Sequence, residues 1–161
     1  MSLRPLAVLS LFTLCACVAA PAGDAPVDEA SQALSGVGVD AYRIGVPVDD
    51  ASFVDVTSQI PALGGTVLEG NPTIKIRFDA PPDGVTAHGV FEQVGKARIR
   101  IVFPFDEHIQ VIHGLLKITD SAGQSFYFGP GDSYFITQGT IVTWEILTPT
   151  FQKSFFDYTH P

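Results

Sequence analysis

Four side chains that can bind a metal ion or transfer a proton lie within eight positions of this sequence. The stretch FPFDEHIQVIHG, residues 103–114, contains Asp106, Glu107, His108 and His113. Carboxylates and imidazoles are the usual oxygen and nitrogen ligands of transition metals. A metal site is therefore the first hypothesis, and it depends on which of these side chains share one face of a strand.

The elements around this stretch are predicted to be short β-strands. TIKIRFD, residues 73–79, places Ile74, Ile76 and Phe78 on one face, and ARIRIVF, residues 97–103, alternates in the same way. Further apolar runs follow, separated by the turn sequences PPDG, DSAG, GPGD and TQGT. About nine or ten strands without a long helix indicate an all-β sandwich or closed barrel.

The composition fits one folded domain and argues against nucleic acid as a partner. Of the 161 residues, 46% are hydrophobic and 16% are charged, which is enough apolar material for a core. The formal net charge is −8. Because an acidic surface repels a phosphate backbone, we expect no nucleic-acid partner.

The N-terminus has the pattern of an export signal. The apolar run LAVLSLFTL, residues 6–14, is too short to span a bilayer. Leu14, Ala16 and Cys17 then resemble the cleavage motif of bacterial lipoproteins, which predicts cleavage before Cys17 and its lipidation. Ordinary signal cleavage after Ala20 is the alternative. The expected location is the cell envelope, as a periplasmic or outer-membrane-anchored lipoprotein, or otherwise the secreted fraction.

These features divide the chain into three predicted parts. They are a signal segment at residues 1–17, a flexible tether rich in Ala, Pro, Gly and Asp at residues 18–45, and a barrel domain at residues 46–161. Both Cys residues belong to the signal segment. The exported domain is therefore expected to fold without a disulfide.

Two glycine-framed segments resemble the two motifs of the cupin superfamily. The first motif, G-x5-H-x-H-x3-E-x6-G, has the spacing of Gly95, Ile101, Phe103, Glu107 and Gly114. The second motif, G-x5-P-x-G-x2-H-x3-N, has the spacing of Gly131, Thr137, Gly139, Val142 and Ile146. Sixteen residues separate the two segments, as a hairpin requires. The resemblance implies a single jelly-roll barrel, also called a double-stranded β-helix.

The finer resemblance is to the type-3 cupin family, which includes the (S)-ureidoglycine aminohydrolase-like cupins. The segments that carry it are VLEGNP at 67–72, GVFE at 89–92, FPFDE at 103–107, FGPGDS at 128–133 and WEI at 144–146. Members often have Trp-Glu where this chain has Phe91-Glu92, and Glu-Gly where it has His113-Gly114.

The resemblance also implies where a metal would bind, and this chain lacks most of the ligands. Metal cupins use three His and one Glu, and the three His positions are occupied here by Ile101, Phe103 and Val142. Only Glu107 remains, and one carboxylate does not hold a transition metal against water. We therefore expect neither a metal nor another cofactor.

Strand alternation gives the expected direction of the remaining ligands. Glu107 shares its parity with Ile101 and Phe103 and is expected to face the interior, whereas His108 is expected to face away. His113 has the parity of Glu107 and is expected near the barrel end. A metal site formed instead by Glu107, His113 and Glu145 stays open as an alternative.

Glu107 is the candidate catalytic residue. Burial raises the pKa of a carboxyl group, which could then act as a general acid or base or anchor a polar ligand. The candidate ligand-binding residues are Phe103, Glu107, His113, Val142, Trp144 and Glu92. Because Trp144 and Glu145 are adjacent in a strand, only one of them can face inward.

Three functions stay open on this basis. The first is a lipid-anchored module that binds a small molecule in the barrel. The second, which only the resemblance suggests, is an enzyme that acts on a small ureide or a related substrate. The third is a structural module that forms a homodimer through its outer sheet. The missing His triad favours the first and third over the second.

Overall fold

The computed structural model describes residues 42–48, 51–79 and 84–160, which form two β-sheets and one 3-10 helix at Thr57–Gln59. The eleven strands among these residues are β1 Val54–Asp55, β2 Gly65–Gly70, β3 Thr73–Asp79, β4 Thr86–Val94, β5 Ala97–Val102, β6 Asp106–His113, β7 Leu116–Asp120, β8 Ser125–Phe128, β9 Ser133–Ile136, β10 Ile141–Ile146 and β11 Thr150–Tyr158. The all-β prediction is confirmed. The predicted signal segment and lipidated Cys17 lie outside the described residues.

The strands build a two-layered jelly roll. One sheet has the order β1-β3-β4-β11-β6-β9 and the other has the order β2-β5-β10-β7-β8. All the strand pairs between these elements are antiparallel. Within the described part of the chain, no helix is both long and apolar enough to cross a membrane.

The core between the sheets consists of two clusters. The larger one is formed mainly by β6, β7 and β10 and includes Ile109, Leu116 and Trp144. The smaller one lies around the 3-10 helix and includes Ile60 and Ile99. Phe91 and Ile101 pack against both clusters. The alternation that predicted inward-facing Ile74 and Ile99 is confirmed, because both side chains are buried.

Residues 42–48 contact the outer face of the six-stranded sheet. The backbone N–H of Gly45 donates to the carbonyl of Ile112 at 2.7 Å. The side-chain amide of Gln152 accepts from the N–H of Val48 at 2.7 Å and donates to its carbonyl at 2.8 Å. Contact with the barrel therefore begins before residue 46, at which the sequence pattern places the start of the domain.

A β-bulge in β6 changes the direction of its last residues. Lys153 pairs with Val111 but Gln152 pairs with His113, so Ile112 is an extra residue in β6. Directly paired residues lie on the same face of a sheet, and a bulge inverts the alternation beyond it. His113 therefore shares the outer face with Gln152. The inference that His113 keeps the parity of Glu107 is wrong for this reason.

Candidate ligand-binding cavity

A cavity of about 290 Å³ lies between the two sheets, beside the smaller core cluster. Its wall is mainly apolar and includes Ile74, Ile99, Phe103 and Phe155. Phe78 belongs to the wall and is 57% exposed, which places an opening to solvent beside it. Because the larger core cluster fills the other part of the barrel, the cavity occupies only one end of the interior.

Most polar groups of the cavity come from adjacent strands, and Gln59 of the 3-10 helix adds one more. On β11, alternation directs Lys153, Phe155 and Asp157 to the interior, and all three line the cavity. On β6, the register places Glu107 directly opposite Asp157. Gln93 on β4 completes the polar part of the wall at this side of the sheet. Two carboxyl groups and one ammonium group therefore meet inside a largely apolar cavity.

Lys153 and Glu107 form a buried ion pair. The Nζ atom of Lys153 donates to Oε1 of Glu107, and the two side chains are only 6% and 5% exposed. The same Nζ atom lies 4.8 Å from the ring centroid of Trp144 and 5.1 Å from that of Phe91. The ring of Phe155 is 5.9 Å away. Since ring faces attract cations, this part of the cavity stabilises positive charge.

Asp157 is the second carboxyl group and has an unusual protonation equilibrium. Burial, with a smaller contribution from the charge of Glu107, raises its pKa from the ordinary 3.8 to about 8 against the opposing effect of Lys153. Asp157 therefore carries a proton at neutral pH. Burial, with a smaller contribution from Glu107, also raises the pKa of Tyr134 well above its usual range.

Three residues that line the cavity each have one buried polar atom without a hydrogen-bond partner within the described protein. The atoms are Oε1 of Gln93, Nε1 of Trp144 and Oδ1 of Asp157. The exposed fractions of these residues are 0%, 2% and 9%. Buried polar groups nearly always have partners in folded proteins. Atoms of this kind in a cavity wall are the groups with which a bound molecule can form hydrogen bonds.

The structure brings together only part of the predicted ligand-binding set. Phe103, Glu107 and Trp144 all line the cavity. Val142 is buried in the larger core cluster and is not part of the wall. Glu92 lies on the outer face, where it accepts hydrogen bonds from Lys75 at 3.3 Å and from Gln152 at 2.7 Å.

His113 also lies on the outer face, because of the bulge in β6. Neither Glu92 nor His113 belongs to the cavity wall. The geometry thus gives no support to a ligand-binding role for either residue.

The side chains at the predicted metal position do not fit a metal ion. Ile101 and Phe103 point into the cavity and Val142 into the core, and none has a donor atom. Glu145 pairs with Lys117 at 3.3 Å and does not line the cavity, so the alternative set with Glu107 and His113 is not assembled. Over residues 42–48, 51–79 and 84–160, no three His, Cys, Asp or Glu side chains are close enough to share a metal.

Sequence reasoning missed Lys153, Asp157 and Gln93. Both faces of the segment FQKSFFDY, residues 151–158, carry aromatic and polar residues, so alternation alone does not show which face is buried. The available signal was the presence of Lys153 and Asp157 on the face that also carries Phe151 and Phe155. A charged pair among apolar residues on one strand face indicates a buried polar site.

Comparison with known families agrees with this fold and covers about half of the chain. A sequence model of the EutQ-like cupin domain matches residues 81–155. This part of the chain is a cupin domain of the EutQ-like family, so the predicted cupin resemblance is confirmed at this level. No curated protein matches the sequence.

Several solved structures are similar to this chain. The EutQ protein of Clostridium difficile is 17% identical with a TM-score of 0.48, over 55% of this chain and 64% of that protein. A putative ethanolamine utilization protein Q from Salmonella typhimurium is 17% identical with a TM-score of 0.47, over 55% and 72%. The cupin domain of Cnp3 from Schizosaccharomyces pombe is 14% identical with a TM-score of 0.47, over 58% and 69%. The chain thus spans less than two thirds of the first of these proteins.

Proposed function

We propose that this protein binds a small, largely apolar molecule with at least one polar group in the cavity of its cupin domain. The observation that carries the proposal is a cavity of about 290 Å³ in which three lining residues each have an unpartnered buried polar atom. Ligand sites are typically apolar clefts of about 300–1,000 Å³ with a few convergent polar groups. This cavity lies at the small end of that range, so the ligand has roughly the size of a substituted benzene ring.

Trp144 provides a direct measurement of binding. It is the only tryptophan of the chain and part of the cavity wall. Small neutral probes such as phenol, benzyl alcohol and cyclohexanol are expected to change its fluorescence saturably. Replacing Ala87, which lines the cavity, by leucine fills part of that space. We expect Ala87→Leu to weaken the binding of these probes by about tenfold or more, since one extra buried side chain removes the ligand's contacts.

The matched control is Ala122→Leu. Ala122 lies in the exposed turn between β7 and β8, away from the cavity. Its substitution is expected to leave the dissociation constants of the probes unchanged. Equal binding by the wild-type protein and Ala87→Leu, or the absence of any saturable change with all three probes, would contradict the proposal.

We further propose that the domain is exported and attached to the membrane through a lipid on Cys17. The support is the lipoprotein-type cleavage motif at residues 14–17. Two or more acyl chains are sufficient for stable anchoring. The variant Cys17→Ser is expected to move the protein from the membrane fraction to the soluble fraction and to abolish labelling with radioactive palmitate. Palmitate labelling that persists in Cys17→Ser would show that the motif has been misread, and Cys15→Ser serves as the control.

A second candidate function is catalysis, and the protonation of Asp157 favours it. A carboxyl group with a pKa of about 8 beside an ammonium group can donate and accept a proton near neutral pH. Together with the resemblance to ureidoglycine aminohydrolase-like cupins, this supports turnover of a small ureide. Glu107→Gln is expected to abolish such turnover, which release of ammonia from ureidoglycine would measure. The homodimer stays a prediction.

A further inference from the structure

We propose that the ligand of the cavity is a small organic cation, an amine with an apolar body, whose ammonium group lies beside Asp157. The inference rests on the proposed binding function and names the chemical class that the cavity selects. Its basis is the position of Asp157, which lines the cavity and is buried, and whose Oδ1 atom has no hydrogen-bond partner.

When both carboxyl groups of the cavity are ionised, its charges are balanced only if a cation is added. Two carboxyl groups, Glu107 and Asp157, face a single ammonium group, that of Lys153. Lys153 contacts Glu107, so Asp157 has no cation of its own. Without a ligand, Asp157 keeps its proton and the cluster is neutral. A bound ammonium ion replaces that proton, which leaves two negative and two positive charges and again a neutral cluster.

The other ligand classes are less well matched to the same groups. An anion would leave one uncompensated negative charge in an apolar cavity, which is unfavourable. Two of the three unpartnered atoms, Gln93 Oε1 and ionised Asp157 Oδ1, are acceptors that an ammonium N–H can reach as a donor. The Nε1–H group of Trp144 is a donor and would donate to an oxygen atom of the ligand.

The aromatic part of the wall also favours a cation. Lys153 Nζ already lies within 6 Å of three aromatic centroids, at 4.8, 5.1 and 5.9 Å. Such contacts stabilise a desolvated cation. The rings of Phe91, Trp144 and Phe155 border the same cavity as Asp157. A ligand with an ammonium group near these rings would obtain the same stabilisation.

The groups that face Asp157 determine the expected pH dependence. They are Lys153 on its own strand and Glu107 on β6. The buried phenol of Tyr134 on β9 interacts with Glu107. On β4 the paired residue is Ala87, which does not titrate. His108, in contrast, alternates with Glu107 and faces outward. The expected pH dependence follows from the pKa of Asp157, which is raised to about 8.

The test compares three probes of similar shape and different charge: benzylamine, benzyl alcohol and benzoate. We expect benzylamine to bind about tenfold or more tightly than benzyl alcohol at pH 8, and benzoate to bind most weakly. The affinity for benzylamine should rise by about tenfold per pH unit from pH 6 towards pH 8 and then become constant. Calorimetry at about pH 6.5 in phosphate and in Tris should show about one proton released per benzylamine bound.

The outcomes separate this inference from the proposed function. Equal affinity for benzylamine and benzyl alcohol at every pH, or tightest binding of benzoate, would overturn the cation while leaving a binding cavity in place. Binding of none of the three would overturn both. In Asp157→Asn, the pH dependence for benzylamine should disappear while benzyl alcohol still binds. Proton release by the wild-type protein tests without a variant whether the ligand replaces the proton of Asp157. Release of no proton would contradict that replacement.

Discussion

Replacement of Lys153 by methionine is expected to lower the free energy of unfolding by about 3–5 kcal/mol at pH 7. The variant leaves the carboxylate of Glu107 in the interior without the ammonium group that now contacts it. Removing one partner of a buried ion pair is strongly destabilising, because the remaining charge is neither solvated nor paired. Urea unfolding followed by circular dichroism would measure the change, provided that the slope of the transition is unchanged.

A second substitution separates the ion pair from simple packing. When Glu107→Met is combined with Lys153→Met, no buried charge is left unpaired, and most of the lost stability is expected to return. The surface pair between Arg98 and Glu69, with a separation of 3.3 Å, is the control. Its side chains are 46% and 71% exposed, so Arg98→Met should change stability by less than about 1 kcal/mol. If Lys153→Met lowers the free energy of unfolding by no more than Arg98→Met does, water from the cavity solvates Glu107.

Replacement of Asp157 by asparagine should change how stability depends on pH. The pKa of Asp157 is raised from 3.8 to about 8 in the folded chain, so the folded chain holds this proton more tightly than the unfolded chain does. The stabilisation from this proton is complete below pH 3.8, the ordinary pKa, and is lost as the pH rises through the folded-state pKa of about 8. The contribution falls by up to about 1.4 kcal/mol per pH unit between them.

Asparagine has no proton to lose, so the variant should be more stable relative to the wild-type protein at pH 8 than at pH 5. Thermal or urea unfolding at several pH values would give the difference curve, in which titrations common to both proteins cancel. The difference should become constant above about pH 8. A difference that does not change between pH 5 and pH 8 would mean that Asp157 is ionised throughout that range.

The fold was predictable because its signals are local. Alternation in TIKIRFD and ARIRIVF and the glycine-containing turns between short apolar runs define a β-sandwich. The spacing from Gly95 to Gly114 adds the family resemblance. The same alternation placed Phe103 and Glu107 on one face, and both line the cavity. Trp144 rather than Glu145 is the inward residue of its strand.

The predicted site was incomplete where alternation is interrupted or ambiguous. The bulge at Ile112 changes the face of His113, and such an extra residue is visible only when the register with β11 is known. Glu92 was a candidate through the family resemblance, but it lies between Phe91 and Gln93, which are both inward residues of β4. The sequence does not show which face of β11 points inward, because both faces carry aromatic and polar residues.

The sequence by itself determined a β-sandwich of the cupin type, with Glu107 inside and apolar residues at the three histidine positions of metal cupins. These properties follow from spacing and alternation, which are local. Only the tertiary structure placed Lys153 and Asp157 of β11 next to Glu107 of β6. More than forty positions of chain separate Glu107 from Lys153. Charge balance in a cavity depends on such distant neighbours, so it becomes visible only when the strands are paired.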